Sequence, residues 1–170
     1  AMGTNTYSGG PHLVDIQNPL NPTLLGGYAN SGYTHDGFIT SYSGPDLDHQ
    51  GDVIVVCCNG TTGLAIINAT DPTDIQLLDT YLYNQTGYVH QGWFTKDKRY
   101  FLVNDELDEM NFSINTRTHV FDFNDLESIG YLGFYQSNNT SIDHNLYIED
   151  QFAFESNYRS GVRVIDAIRV

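Results

Sequence analysis

Tyr88-Val89-His90-Gln91-Gly92-Trp93 is a short strand-like run with a histidine near its start, and the chain writes it three times. The other copies are Tyr33-Thr34-His35-Asp36-Gly37-Phe38 and Ile142-Asp143-His144-Asn145-Leu146-Tyr147, which sets the histidines 55 and 54 residues apart. Each copy follows an apolar run: Leu24-Leu25-Gly26-Gly27-Tyr28, Leu77-Leu78-Asp79-Thr80-Tyr81 and Tyr131-Leu132-Gly133-Phe134-Tyr135. Further upstream stand runs that end at Asp or Asn and enter a polar turn: Val14-Asp15-Ile16, Ile67-Asn68-Ala69 and Phe121-Asp122-Phe123, with a fourth at Ile165-Asp166. Self-similarity at a fixed period is the mark of a repeat architecture.

Between each histidine run and the next unit lies one more apolar stretch: residues 53–58, 99–103 and 151–155. Gly, Asn, Asp and Pro bound these stretches, and no run of Ala, Leu, Glu and Lys is long enough for a sizeable helix. The class is all-β. A unit of about 54 residues with four short strands describes a blade of a β-propeller. The histidine opens the innermost strand of each blade. Residues 53–58, 99–103 and 151–155 form the second strand, 64–67, 118–122 and 162–166 the third, and 24–28, 76–81 and 130–135 the outermost. The 170 residues then make one partial propeller domain, with units at about 13–34 (partial), 35–83, 90–135 and 144–170 (partial). That is about three four-stranded antiparallel blades, where propellers close with four to eight. Open ends would leave unpaired strand edges. The chain is therefore expected to be part of a larger propeller, or to be completed by another chain.

Composition narrows the function. Asp plus Glu number 21 against 7 Lys plus Arg, a formal charge of −14. Such a chain repels phosphate backbones and anionic bilayers, so nucleic acid is excluded as a partner and cations or basic surfaces are favoured. No apolar run reaches the length of a membrane-spanning helix. The opening Ala1-Met2-Gly3 reads as a processed or appended end, so any secretion signal is expected upstream of it. No phosphate-binding glycine loop and no nucleophile elbow is present.

The sequence resembles the LVIVD-repeat proteins, a β-propeller family also labelled choice-of-anchor B. The stretches that carry the likeness are Gly32-Tyr33-Thr34-His35-Asp36, Gly44-Pro45-Asp46-Leu47-Asp48, Gly87-Tyr88-Val89-His90-Gln91-Gly92-Trp93, Asp105-Glu106-Leu107-Asp108-Glu109, Asn115-Thr116-Arg117-Thr118, Asp143-His144-Asn145-Leu146-Tyr147 and Asn157-Tyr158-Arg159-Ser160-Gly161. They run in order over nearly the whole chain. The resemblance implies a secreted or surface-anchored propeller of largely undefined function, with more blade-forming sequence upstream. Cys57-Cys58 departs from the family pattern and has no family role to inherit.

Three sets of side chains could carry chemistry. His35, His90 and His144 share one position on the inner strand, where three imidazoles could hold a transition metal or could each bond a neighbouring blade. The bland choice, hydrogen bonds to a carbonyl or carboxylate, is the expectation, because equivalent positions in adjacent blades need not come within reach of one ion. Asp46 and Asp48, with Gly51 and Asp52 nearby, place oxygens at alternate positions and suit Ca²⁺ or a solvated turn equally. Asp105, Glu106, Asp108 and Glu109 crowd four carboxylates into five residues. Such crowding raises each carboxylate's pKa unless a cation intervenes; Ca²⁺, or Arg117 with or without Arg159, could neutralise them, and Arg117 pairing with Asp105 or Asp108 is the simpler explanation. A glycosidase-like acid/base pair is a weaker alternative, because nothing else supports it. His12, His49 and His119 are assigned no role.

Six Asn-x-Ser/Thr sequons stand at Asn59, Asn68, Asn84, Asn111, Asn138 and Asn139, where 15 Asn and 25 Ser plus Thr would give about two by chance. They favour an extracellular glycoprotein. Cys57 and Cys58, neighbours on a strand, point to opposite faces and are expected to be free thiols, one buried and one less so, with a strained vicinal disulfide as the uncommon alternative. The preferred reading is a secreted or cell-surface propeller module with a structural or binding role, cation-stabilised, meeting a protein or glycan partner. The rival is a metal-dependent enzyme with a site in a histidine-lined channel.

Overall fold

A computed structural model describes residues 6–167. The opening Ala1-Met2-Gly3 and the last three positions of the final unit lie outside the described residues. The chain is all-β: thirteen strands in four antiparallel sheets, and one α-helix of five residues among the described residues. Strands β1 (His12–Asp15) and β2 (Thr23–Gly27) pair alone. Strands β3 (Asp36–Ser41), β4 (Val53–Cys58), β5 (Leu64–Asn68) and β6 (Gln76–Tyr81) form the second sheet. Strands β7 (Val89–Phe94), β8 (Tyr100–Asp105), β9 (Arg117–Asp122) and β10 (Gly130–Gln136) form the third. Strands β11 (Asn145–Glu149), β12 (Phe152–Asn157) and β13 (Gly161–Asp166) form the fourth. Within each sheet the strands lie in chain order, so every connection is a short antiparallel return. Helix α1 (Asp108–Phe112) begins within the acidic stretch, whose first residue, Asp105, ends β8.

The sheets stack face to face, because strands buried on both sides send alternate side chains into different layers. In β4, Ile54, Val56 and Cys58 enter one core with Phe94, Phe101, Val103 and Phe121. Val55 and Cys57 enter another with Tyr28, Ala65 and Ile67. Leu102 of β8 turns to a third layer with Leu146, Ile148, Ala153 and Ile165. Three apolar layers thus separate four sheets. The edge strands β3, β7 and β11 come together, with β7 packed against both of the others.

The repeat extends to an irregularity. On β2, β6 and β10 the pairing skips one residue, and the residue skipped is Leu25, Leu78 and Leu132. A bulge of this kind bends its strand and adds local twist. It recurs at the corresponding place in three sheets. No helix among the described residues is long and apolar enough to cross a membrane.

Candidate metal centres

The meeting of β3, β7 and β11 brings the three sequence-aligned histidines into a row. The ring centroids of His35 and His90 are 4.4 Å apart, and those of His90 and His144 are 4.2 Å apart. His35 and His144 sit just before their strands, and their backbone N–H groups donate to Cys58 O at 2.8 Å and Ser156 O at 3.0 Å. His90 lies inside β7, at the point where the register shifts between Val89 and Gln91. The Tyr88 hydroxyl lies 3.1 Å from His35 Nδ1, and the Tyr33 hydroxyl 3.3 Å from it. His90 is buried, and its Nδ1 has no hydrogen-bond partner. Burial pushes its pKa below the ordinary value, with His144 and His35 adding to the effect, so the neutral imidazole is favoured.

Glu106, between β8 and α1, reaches this row. His90 Nε2 lies 3.8 Å from Glu106 Oε2, and His144 Nε2 lies 3.7 Å from Oε1. Both separations are too long for hydrogen bonds. The Tyr158 hydroxyl donates to Glu106 Oε1 at 2.6 Å, which raises the pKa of that phenol. The expected bond from each histidine to a carbonyl or carboxylate is therefore not what the rings make: His35 meets tyrosine hydroxyls, while His90 and His144 converge on one carboxylate. Equivalent positions are also close enough for two rings and Glu106 to offer atoms within 4.8 Å of one another.

The acidic run does not act as one cluster. Asp105 turns inward and accepts from the Tyr83 hydroxyl at 2.7 Å, from Gly87 N at 2.8 Å and from Tyr88 N, and burial raises its pKa. Asp108 is fully buried and takes Arg117, whose Nη2 and Nε stand 2.8 and 2.9 Å from Oδ2. Of the two pairings the sequence allows for Arg117, this is the one formed. Glu109 is buried beside Asp108 and Asp143, and an oxygen from each of the three lies within 4.8 Å of the others.

Several buried polar residues of this region carry little or no signal in the sequence. Asp143 directly precedes His144, yet its counterparts in the other units are Thr34 and Val89. Asn104 donates its side-chain N–H to Asp143 Oδ2. His119 is fully buried, with Nδ1 2.9 Å from the Tyr131 hydroxyl and Nε2 3.5 Å from Asp108 Oδ2. Glu155 is fully buried, accepts from the Thr118 hydroxyl at 2.6 Å and has its pKa raised by burial. A charged residue where sibling units carry Thr or Val was the available signal for Asp143.

Asp46 and Asp48 stand apart from both groups. Asp46 Oδ1 caps its own turn by accepting from Asp48 N at 3.1 Å, and Oδ2 accepts from Leu126 N at 2.9 Å. Asp48 is exposed. Of the sequons, Asn84, Asn111 and Asn138 are exposed and Asn68 and Asn139 are partly so. Asn59 is buried, with Oδ1 accepting from the Thr34 hydroxyl at 2.7 Å. Cys57 and Cys58 are both free and buried.

A depression of about 250 Å³ opens beside His144, lined by Ser156, Asn157, Tyr158, Gly161 and Val162. A larger cavity of about 700 Å³ lies at the other end of the inner strands, near Thr95, Tyr100 and Asp150. Of its ionic groups, Lys96 and Asp150 pair with each other at 2.9 Å at the surface and Asp97 accepts from the Thr95 hydroxyl at 2.6 Å, which leaves it without converging chemistry. No protein-family model matches the chain, and no curated protein matches it significantly.

Proposed function

We propose that the chain is a run of β-propeller blades of the LVIVD-repeat kind, and that it serves as an extracellular module holding a transition metal at His90, Glu106 and His144. The observation that carries the metal is the approach of two Nε2 atoms to the two oxygens of one carboxylate, at 3.8 and 3.7 Å. In a tetrahedral zinc site with bonds of about 2.0–2.1 Å, neighbouring ligand atoms stand about 3.4 Å apart. One atom from each of the three groups lies within 4.8 Å of the others, so the side chains would have to draw closer to seat the ion. Two imidazoles and a carboxylate are the donor set of a three-ligand zinc centre, with a further position left for water or a partner's side chain. That position would open towards the depression beside His144.

The blade reading is supported by the four-stranded unit, the shared bulge and the convergence of β3, β7 and β11. It is also supported by apolar residues left outside at the last sheet. Phe152, Val162 and Val164 are 41%, 73% and 56% exposed, a surface that a further blade from this protein or another chain would cover. The extracellular reading is supported by the exposed sequons and by the strong negative charge, which suits a basic protein or a glycan bridged by a cation.

Metal analysis of the purified chain after equilibration with Zn²⁺ tests the site. One tightly held ion per chain, lost in His144→Ala and in Glu106→Gln, is expected. An unmodified chain that retains no transition metal refutes it. Catalysis by the bound ion would favour the enzyme reading over the module.

A further inference from the structure

We propose that Asp108, Glu109 and Asp143 form a buried site for Ca²⁺, separate from the imidazole site and independent of the propeller reading. The three carboxylates come from two places in the chain: α1, which follows β8, and the residue that precedes His144 and β11. A cation there would tie the β8–α1 segment to the start of the next sheet.

The argument begins with oxygens that have no partner. Asp108 Oδ1 and Asp143 Oδ1 accept no hydrogen bond, and the Glu109 oxygens accept none of good geometry, with only the Glu109 and Asp143 backbone amides near them, although Asp108 and Asp143 are 0% exposed and Glu109 only 5%. A buried carboxylate oxygen without a donor is costly. A second, neutral group points the same way. Asn104 is fully buried, its amide nitrogen is bonded to Asp143, and its own Oδ1 is unpartnered. An amide oxygen is an ordinary Ca²⁺ ligand.

Charge and spacing both fit. Arg117 neutralises one of the three carboxylates, through Asp108 Oδ2, and leaves two negative charges for a divalent ion. One oxygen from each carboxylate lies within 4.8 Å of the others, close enough for one ion to reach all three. The donors are all oxygen, as a hard cation requires and a soft one does not.

The test uses the whole chain, stripped with chelator and then melted with and without Ca²⁺. Ca²⁺ at about a hundred times its dissociation constant should raise Tm by roughly 5–10 °C. Glu109→Gln and Asp143→Asn keep the shape of the cluster while removing charge, and should abolish the Ca²⁺ shift. His90→Ala should retain it, which separates this site from the zinc proposal. An unmodified chain with no shift, or a Glu109→Gln chain with the full shift, overturns the inference. Should neither variant fold, equilibrium dialysis of the unmodified chain decides: one bound Ca²⁺, still bound by His90→Ala, supports the site, and none rejects it.

Discussion

His90 and His144 are 54 residues apart in the chain, yet their ring centroids lie 4.2 Å from each other. The distance is short because the inner edge strands of successive sheets lie side by side, so one register position repeats across the row. Nothing local to either histidine sets it. Whatever the row binds is held by the stacking of sheets.

The same stacking decides the fate of the two thiols. Cys57 faces the layer with Tyr28 and Ile67, and Cys58 faces the layer with Phe101 and Phe121. Burial pushes Cys57 up to about 12 and Cys58 well above its ordinary value. At pH 8 a thiol with a pKa near 12 is ionised only about once in ten thousand molecules. Neither cysteine should react with a thiol reagent in the native chain, and both should react in denaturant. Fast labelling of either one without denaturant would place it at the surface.

Asp46 is expected to act as a staple. Its Oδ1 caps the turn at 47–49 and its Oδ2 holds Leu126 N, 80 residues away, at 2.9 Å. Asp79 does the same for Ile129 N at 2.9 Å, so two carboxylates of the second sheet's region clamp one loop of the third. Asp46→Ala removes a cap and a charged acceptor and should cost about 1–3 kcal/mol in urea unfolding. The loss should be the same with Ca²⁺ or with chelator. A loss seen only with Ca²⁺ present would assign the ion to Asp46 and Asp48 after all.

The strands were legible because each is an apolar run between turn formers, and the alignment of the histidines was legible because it repeats. Other features fail for physical reasons. The turn of helix at Asp108–Phe112 is too short to show a period, and only its acidic first turn hints at a helix start. Asp143, Asn104, Glu155 and His119 are polar residues buried between sheets. Their burial comes from which sheets stack, and a strand pattern read alone leaves polar residues on the solvent face. The acidic run was legible as unusual, but its division into Asp105 for backbone amides, Glu106 for imidazoles and Asp108 for Arg117 required the chain's path.

Asp52 gives a pH dependence with a definite sign. His49 Nδ1 lies 3.0 Å from Asp52 Oδ2, and Asn68 donates to the same oxygen at 2.7 Å. The bond to His49, more than any other contact, holds the Asp52 carboxyl below its ordinary value. A lowered folded-state pKa adds stability above the unfolded value, about 3.9, and loses it as pH falls through the folded one. The side chain is partly exposed, so the contribution is at most about 1 kcal/mol. Asp52→Asn should reduce stability at pH 6 by up to that amount and leave it nearly unchanged at pH 2. An equal loss at both values would mean that packing, and not charge, holds this turn.

Gln91 bonds from β7 across to β11 beside the histidine row. It follows His90 in β7, and its Oε1 accepts from Leu146 N at 2.8 Å, two residues past His144. The bond is buried and crosses from the third sheet to the fourth. The equivalent positions hold Asp36 and Asn145, which are shorter, so the sequence showed variation without showing its use. Gln91→Ala leaves a buried backbone N–H without an acceptor, at a cost of about 1–3 kcal/mol. It also frees β11 to shift against β7. If His90, Glu106 and His144 bind Zn²⁺ together, the variant should hold the ion more weakly, while Gln91→Glu, which restores an acceptor oxygen, should recover most of the affinity. The readouts are Zn²⁺ affinity by competition with a chromogenic chelator and stability by urea unfolding. If stability falls while affinity stays at the unmodified value, Gln91 is a structural bond only, and the spacing of the two imidazoles is set elsewhere.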